Sequence, residues 1–158
     1  MTPVEFEVVG LPAAQGSKRH VGNGVMVETS KNLKPWRAAV AAAARDIAAD
    51  VGQYDEPLHM EVCFRFPMPK SRRAAVRSLG IALKTTAPDL DKLIRSTGDA
   101  LTTSGLIRDD ALICSVHASK LEVVGWSGAV VRLVPVPARR ARPVRCCTDL
   151  WPELRDEP

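Results

Sequence analysis

The sequence predicts an α/β fold: a single compact domain with a small mixed β-sheet and two main helices. Three observations carry this. The 158-residue length suits one domain with its own core. Residues 3–9 and 58–66 alternate apolar and polar side chains with the two-residue period of half-buried strands. Residues 35–50 and 90–103 carry helix-forming composition or apolar residues at helical spacing.

Taken in order, the first strand sets Val4, Phe6 and Val8 against Glu5 and Glu7. A turn-rich loop follows and presents Lys18, Arg19 and His20. Residues 25–28 read as a short strand after the Asn23–Gly24 turn. Thr29 or Ser30 then caps a helical region whose stretch 35–50 holds eight alanines. In the second clear strand Leu58, Met60, Val62, Phe64 and Phe66 oppose His59, Glu61, Cys63 and Arg65, and Pro67 and Pro69 end it. Residues 71–87 are ambiguous, a loop with a helical turn or a basic surface segment. Pro88 disfavours helix at Ala87.

The helix over 90–103 buries Leu90, Leu93, Ile94, Thr97, Ala100 and Leu101, and Gly105 suits its C-cap region. After a turn at Asp109–Asp110, a strand over 111–121 faces Leu112, Cys114, Val116 and Ala118 one way. A last strand covers 129–134. The expected domain is 1–136. Residues 137–158, Arg- and Pro-rich and then acidic, read as a tail with little structure.

Charged residues are 25% and hydrophobic residues 46%, as in an ordinary globular protein. No apolar run approaches the roughly 18–20 residues of a membrane span. The first residues carry acids and no basic stretch, which argues against a signal peptide and for a cytoplasmic protein. Cys63 and Cys114 lie in strand-like runs and Cys146–Cys147 in the tail, with no CxxC spacing for zinc. A net charge of +4 and a pI near 9.1 are a mild nucleic-acid signal. The cations cluster at 18–37, 70–77 and 139–145.

Against that basic background, residues 88–110 (PDLDKLIRSTGDALTTSGLIRDD) hold five aspartates: Asp89, Asp91, Asp99, Asp109 and Asp110. Close carboxylates repel unless something positive sits among them, and hard oxygen donors suit Mg²⁺. The same residues also fit a plainer reading. Asp89 or Asp91 can cap the helix, and Asp109–Asp110 can form only a turn. Asp91, Arg95 and Asp99, spaced i, i+4, i+8, can form an exposed ladder of about 0.3–0.5 kcal/mol per pair. A helix of about 14 residues is about 20 Å long, so bringing Asp110 to Asp89 and Asp91 requires a bend or crossing that spacing alone does not supply.

The block resembles the signature of the RusA family of Holliday junction resolvases, common in phages and prophages. Its pattern is roughly PDxDNxxKxxxDAL, a short turn, then DD and a strand. Pro88, Asp89, Asp91, Asp99, Ala100, Leu101, Asp109 and Asp110 match it, Lys120 falls where members often carry lysine, and the likeness spans about 3–135. The resemblance implies a compact homodimer that binds four-way DNA junctions and makes paired symmetrical nicks. It implies Asp89, Asp91 and Asp110 as catalytic carboxylates and ligands of Mg²⁺, with Mn²⁺ as substitute, and places Asp99 and Asp109 in supporting roles. It also implies a bacterial host setting with phage or prophage origin.

Two departures bear on activity. Lys92 stands where the family has asparagine, and Arg95 where it has a functionally important lysine. Arginine keeps the charge and binds phosphate, but it is a poor proton donor. Lys18, Arg19, Lys92 and Lys120 are the candidate DNA contacts. Two other readings stand beside the nuclease: a branched-DNA-binding dimer with weak or lost catalysis, and a different metal enzyme such as a DxD nucleotide-sugar transferase.

Overall fold

A computed structural model describes residues 1–16, 18–20, 26–28 and 31–136, with the backbone path alone for 18–20 and 26–28. The Thr29/Ser30 cap, the side chains of Lys18 and Arg19, and the 137–158 tail lie outside the described residues.

The elements run β1 (Val4–Val9), β2 (Lys18–His20), β3 (Met26–Glu28), α1 (Leu33–Val51), β4 (Leu58–Pro67), α2 (Ala74–Leu79), β5 (Ile81–Leu83), α3 (Leu90–Ser104), β6 (Ile113–Val123) and β7 (Gly128–Pro135). Five strands form one sheet in the order β1-β7-β4-β6-β5, and β2 and β3 form a separate antiparallel pair. Only β4 and β6 pair in parallel within the large sheet. Parallel neighbours need a crossover, and the chain supplies it as α2, β5 and α3.

α1 starts at Asn32, whose carbonyl accepts from the Trp36 N–H. Pro35 falls in the first turn, where no helical N–H is needed. Leu33, Trp36, Val40, Ala41 and Ala44 form its buried stripe at helical spacing. Trp36 is 1% exposed and meets Phe64 of β4 at 6.3 Å between ring centroids. Trp36 thus anchors α1 on the sheet. α3 adds Leu93, Ala100 and Leu101 to the same core, opposite Met60, Val62, Phe64, Val131 and Leu133. Ser96 and Gly98 are also buried, which widens the predicted stripe.

β6 departs from expectation. Residues 110–112 form a 3-10 turn, and the strand runs on to Val123. A register shift between Leu58/His59 sets Leu58 against Ile113 but His59 against Ser115. One extra residue in β6 switches the parity of the strand, as a β-bulge does. Cys114 is therefore exposed rather than aligned with Val116 and Ala118. Past the bulge, Ala118, Lys120 and Glu122 pair with Val62, Phe64 and Phe66, on the helix-covered side of the sheet.

The sheet closes tightly at its β1 edge. Gly128 pairs with Val9, with φ of +155°. A Cβ there would lie 1.9 Å from the Val8 carbonyl oxygen and 2.8 Å from the Trp126 ring. Trp126 itself is covered by the Arg65 guanidinium, 4.3 Å from its ring centroid. We expect Gly128→Ala to cost at least about 2 kcal/mol, read as a lowered urea midpoint at unchanged slope. An unchanged midpoint would show that β1 is not seated against residue 128.

Candidate active site

The loop 84–89 leads from β5 to α3 and fixes where the first acidic pair lies. Asp89 occupies the N-cap position of α3, and its carbonyl accepts from the Leu93 N–H. Its side chain does not cap. The carboxylate instead pairs with Lys92 at 2.9 Å, one turn along the helix. That hydrogen bond and charge hold the Asp89 carboxyl below the ordinary carboxylate range, with a smaller pull from Lys120. Asp91 lies in the first turn and is exposed.

Behind this loop lies a polar network. The Lys120 ammonium donates to the carbonyls of Thr86 at 2.8 Å and Pro88 at 2.7 Å. Lys84 Nζ donates to Thr86 Oγ1 at 2.7 Å and stands 3.8 Å from Glu122. Glu122 is 1% exposed and accepts from Arg72 Nε at 2.6 Å. The Arg72 hydrogen bond and charge keep its carboxyl below the ordinary value, against the opposing effect of burial. A buried carboxylate without such a partner would neutralise instead.

Asp110 reaches α3 at a different height. Its Cβ lies 3.5 Å, and its Oδ2 3.9 Å, from where a Cβ on Gly98 would stand. The Asp110 side chain thus lies beside α3 at Gly98, where even a Cβ would sit in ordinary van der Waals contact. Residue 98 follows Asp91 by two turns on the same face, about 10 Å along the axis. The reversal after Gly105 is held by backbone bonds from Tyr54 N–H to the Leu106 carbonyl and from Arg108 N–H to the Tyr54 carbonyl. The fold therefore brings Asp110 back along roughly half of α3. Asp109 accepts from the Ala111 N–H at 2.8 Å and caps the 3-10 turn.

Asp99 turns toward α1, 3.5 Å from Arg37. It braces the two helices and does not join an Asp91–Arg95–Asp99 ladder. Arg95 is exposed, one turn beyond Asp91, and forms no ion pair among the described residues.

A cleft of about 520 Å³ opens at the α3 N-terminus, lined by Leu11, Pro12, Ala14, Lys84, Asp89 and Lys92 among others. Its far wall, the loop after β1, is tied to α3 by Ser96 Oγ donating to the Ala13 carbonyl and by Gln15 N–H donating to the Lys92 carbonyl.

Among the described residues no group of three or more His, Cys, Asp or Glu side chains is placed to hold a metal ion. The expected triad of Asp89, Asp91 and Asp110 is thus spread along one helix face. The donor chemistry at the α3 N-terminus still fits Mg²⁺. That ion keeps several waters and commonly takes one or two carboxylates plus substrate phosphate. The Lys92 ammonium already occupies a cation's position beside Asp89.

Sequence reasoning missed Lys84, Arg72, Glu122 and the Ser96 tie. Glu122 was hidden because the predicted strand stopped at Leu121. Extending the alternation by one residue would have put Glu122 beside Lys120 on the inward face.

A family profile described as endodeoxyribonuclease RusA matches residues 8–133. The uncharacterised protein YqaN of Bacillus subtilis (strain 168) is 31% identical over 130 residues, covering 76% of this chain and 88% of the other.

Since pairing lowers the Asp89 pKa, the stability the pair supplies is in place above the ordinary carboxylate range. It is lost as pH falls through the folded value. Lys92→Asn should move the Asp89 carboxyl upward toward its ordinary value, read by carboxyl-carbon NMR titration. A titration midpoint unmoved by the substitution would mean that Lys92 does not hold Asp89 in solution.

Proposed function

The chain belongs to the RusA family of endodeoxyribonucleases, and from that premise we propose that it is a Mg²⁺-dependent, structure-selective endonuclease that nicks four-way DNA junctions as a homodimer. The observation that carries this reading is the acidic start of α3, where exposed Asp89 lines a cleft together with Lys84 and Lys92, and exposed Asp91 follows two residues on. Phosphodiester hydrolysis on DNA needs both parts, carboxylates for the metal and cations for the phosphate backbone.

In this reading Asp89 and Asp91 would hold the cation, which when bound would supply positive charge beside the scissile phosphate and lower the pKa of a water. Asp110, further along the same face, is the third catalytic carboxylate. Arg95 lies one turn past Asp91 with its guanidinium uncommitted among the described residues, which suits a bidentate phosphate contact. It stays protonated, so its role is electrostatic rather than proton transfer. Lys92 shares its charge between Asp89 and the strand in the cleft. Lys84, on the cleft wall, offers a second cation there. The β2–β3 pair, which carries Lys18 and Arg19, supplies further contacts to the DNA backbone. No helix among the described residues is long and apolar enough to cross a membrane; the reading itself puts the activity on DNA in the cytoplasm of a bacterial host.

The spread of the three carboxylates favours one second reading, a branched-DNA-binding dimer with weak or lost catalysis. Synthetic four-way junctions separate the two. The nuclease reading expects paired nicks with Mg²⁺ or Mn²⁺ and none in EDTA. Asp91→Asn and Asp110→Asn should each lower the nicking rate at least about 100-fold while junction binding in EDTA persists. Tight binding without nicking, unrestored by Arg95→Lys, would establish the binding module. Variants that cut like the wild type would remove Asp91 and Asp110 from the site.

A further inference from the structure

We propose that Lys120 is a positioning residue, which holds the Asp89 carboxylate in place by gripping the loop that precedes it, and is not a DNA contact. The inference rests on the nuclease reading for its consequence, but the geometry stands apart from it. Lys120 pairs with Phe64 and so points to the helix-covered side of the sheet. An ammonium has three donors, and two of these are committed to the carbonyls of Thr86 and Pro88 at 2.8 and 2.7 Å. The Pro88 carbonyl shares a rigid peptide plane with the Asp89 nitrogen. Fixing that oxygen fixes the plane from which Asp89 begins. A lysine that reads phosphates keeps its donors free, and this half-buried one has two of three committed to the loop.

A second observation points the same way. The Lys120 carbonyl accepts from the Lys84 N–H, and Lys84 Nζ binds the Thr86 hydroxyl. Lys84 also stands beside Glu122, the next inward residue of β6, which is buried and bonded to Arg72. The loop is thus held at both Thr86 groups and at Pro88, from two neighbouring inward positions of one strand. The carboxylate placed by that loop is exposed and does not cap its helix. A position held so firmly behind a side chain left so open suits a ligand that must meet a metal in a fixed place. Outer-shell groups of this kind commonly change metal affinity or activity 10–100-fold when removed.

The test uses the full chain, Mn²⁺ as the probe ion and the substitutions Lys120→Met and Lys120→Arg. Mn²⁺ binding is followed by electron paramagnetic resonance without DNA, and junction binding is measured in EDTA. If Lys120 positions Asp89, Lys120→Met weakens Mn²⁺ binding about tenfold. Junction affinity in EDTA stays within about twofold, since no phosphate contact is lost. Lys120→Arg, which can still donate to both carbonyls, recovers part of the Mn²⁺ affinity. A purely electrostatic lysine gives the opposite sign, because losing a nearby positive charge tightens cation binding. Tighter or unchanged Mn²⁺ binding in Lys120→Met overturns the proposal. So does a wild type that binds no Mn²⁺ at millimolar metal. A large loss of junction affinity with a salt dependence shallower by about one unit also overturns it, because Lys120 would then be a phosphate contact. A wild type that binds Mn²⁺ and responds to the substitutions as expected, yet never nicks junctions, supports the positioning role and sinks the nuclease reading alone.

Discussion

The structure depends on the parallel pairing of β4 with β6. Two parallel neighbours cannot be joined by a hairpin, so the chain between them must travel the length of the sheet and return. It does so through α2, β5 and α3, and α3 carries the acidic signature. The pairing therefore sets both ends of the site. Asp89 and Asp91 begin α3 near the carboxyl end of the parallel strands, the usual location of ligands in open α/β sheets. Asp110 begins the return into β6. The crossover gathers residues that lie 19 to 21 positions apart in sequence onto one helix face.

β6 is the second organising element. A sheet face covered by helices is ordinarily apolar, and β4 and β7 follow that rule with Phe64, Phe66, Val131 and Leu133. β6 places Lys120 and Glu122 on the same face. Each charged group there requires a partner, since desolvating a lone charge costs several kcal/mol. Lys120 finds loop carbonyls, and Glu122 finds Arg72 with Lys84 close by. The loop before α3 is thus held by polar contacts of fixed direction, where apolar packing alone would permit sliding. The requirement to satisfy these groups and the placement of Asp89 are one arrangement.

The electrostatics of the site follow from how the nearby cations are shared among the carboxylates. Asp89 takes Lys92, and Asp99 takes Arg37 of the neighbouring helix. Asp109 spends its carboxylate on a backbone N–H. Asp91 and Arg95 remain exposed and form no ion pair among the described residues. The five aspartates of the signature thus divide by surroundings: two structural, and three facing outward along α3. The lysine at position 92 gives Asp89 a counter-ion from within its own helix, and a metal must compete with it or share the carboxylate.

Much of the molecule was legible from the order of residues. Period-two alternation located β1 and β4, and helical spacing with a following glycine located α3 within a residue or so, because those patterns reflect one element meeting one core. The acidic block and its family likeness were equally local. Three features depended on contacts between distant segments. The bulge opposite Leu58 broke the alternation at the start of β6, so Cys114 left the row that Val116, Ala118, Lys120 and Glu122 keep. The loop 84–88 could not be read because its structure comes from a lysine 32 residues further on. The distance between Asp91 and Asp110 was open until the Tyr54 bonds held the returning chain, which sets Asp110 beside Gly98 of α3. By itself the sequence determined which residues could carry the chemistry, since that is a matter of side-chain type. The tertiary structure alone decided which of them share a face, which are committed to other partners, and that Lys120 serves the loop, because partnership is settled by strand register and crossover rather than by spacing.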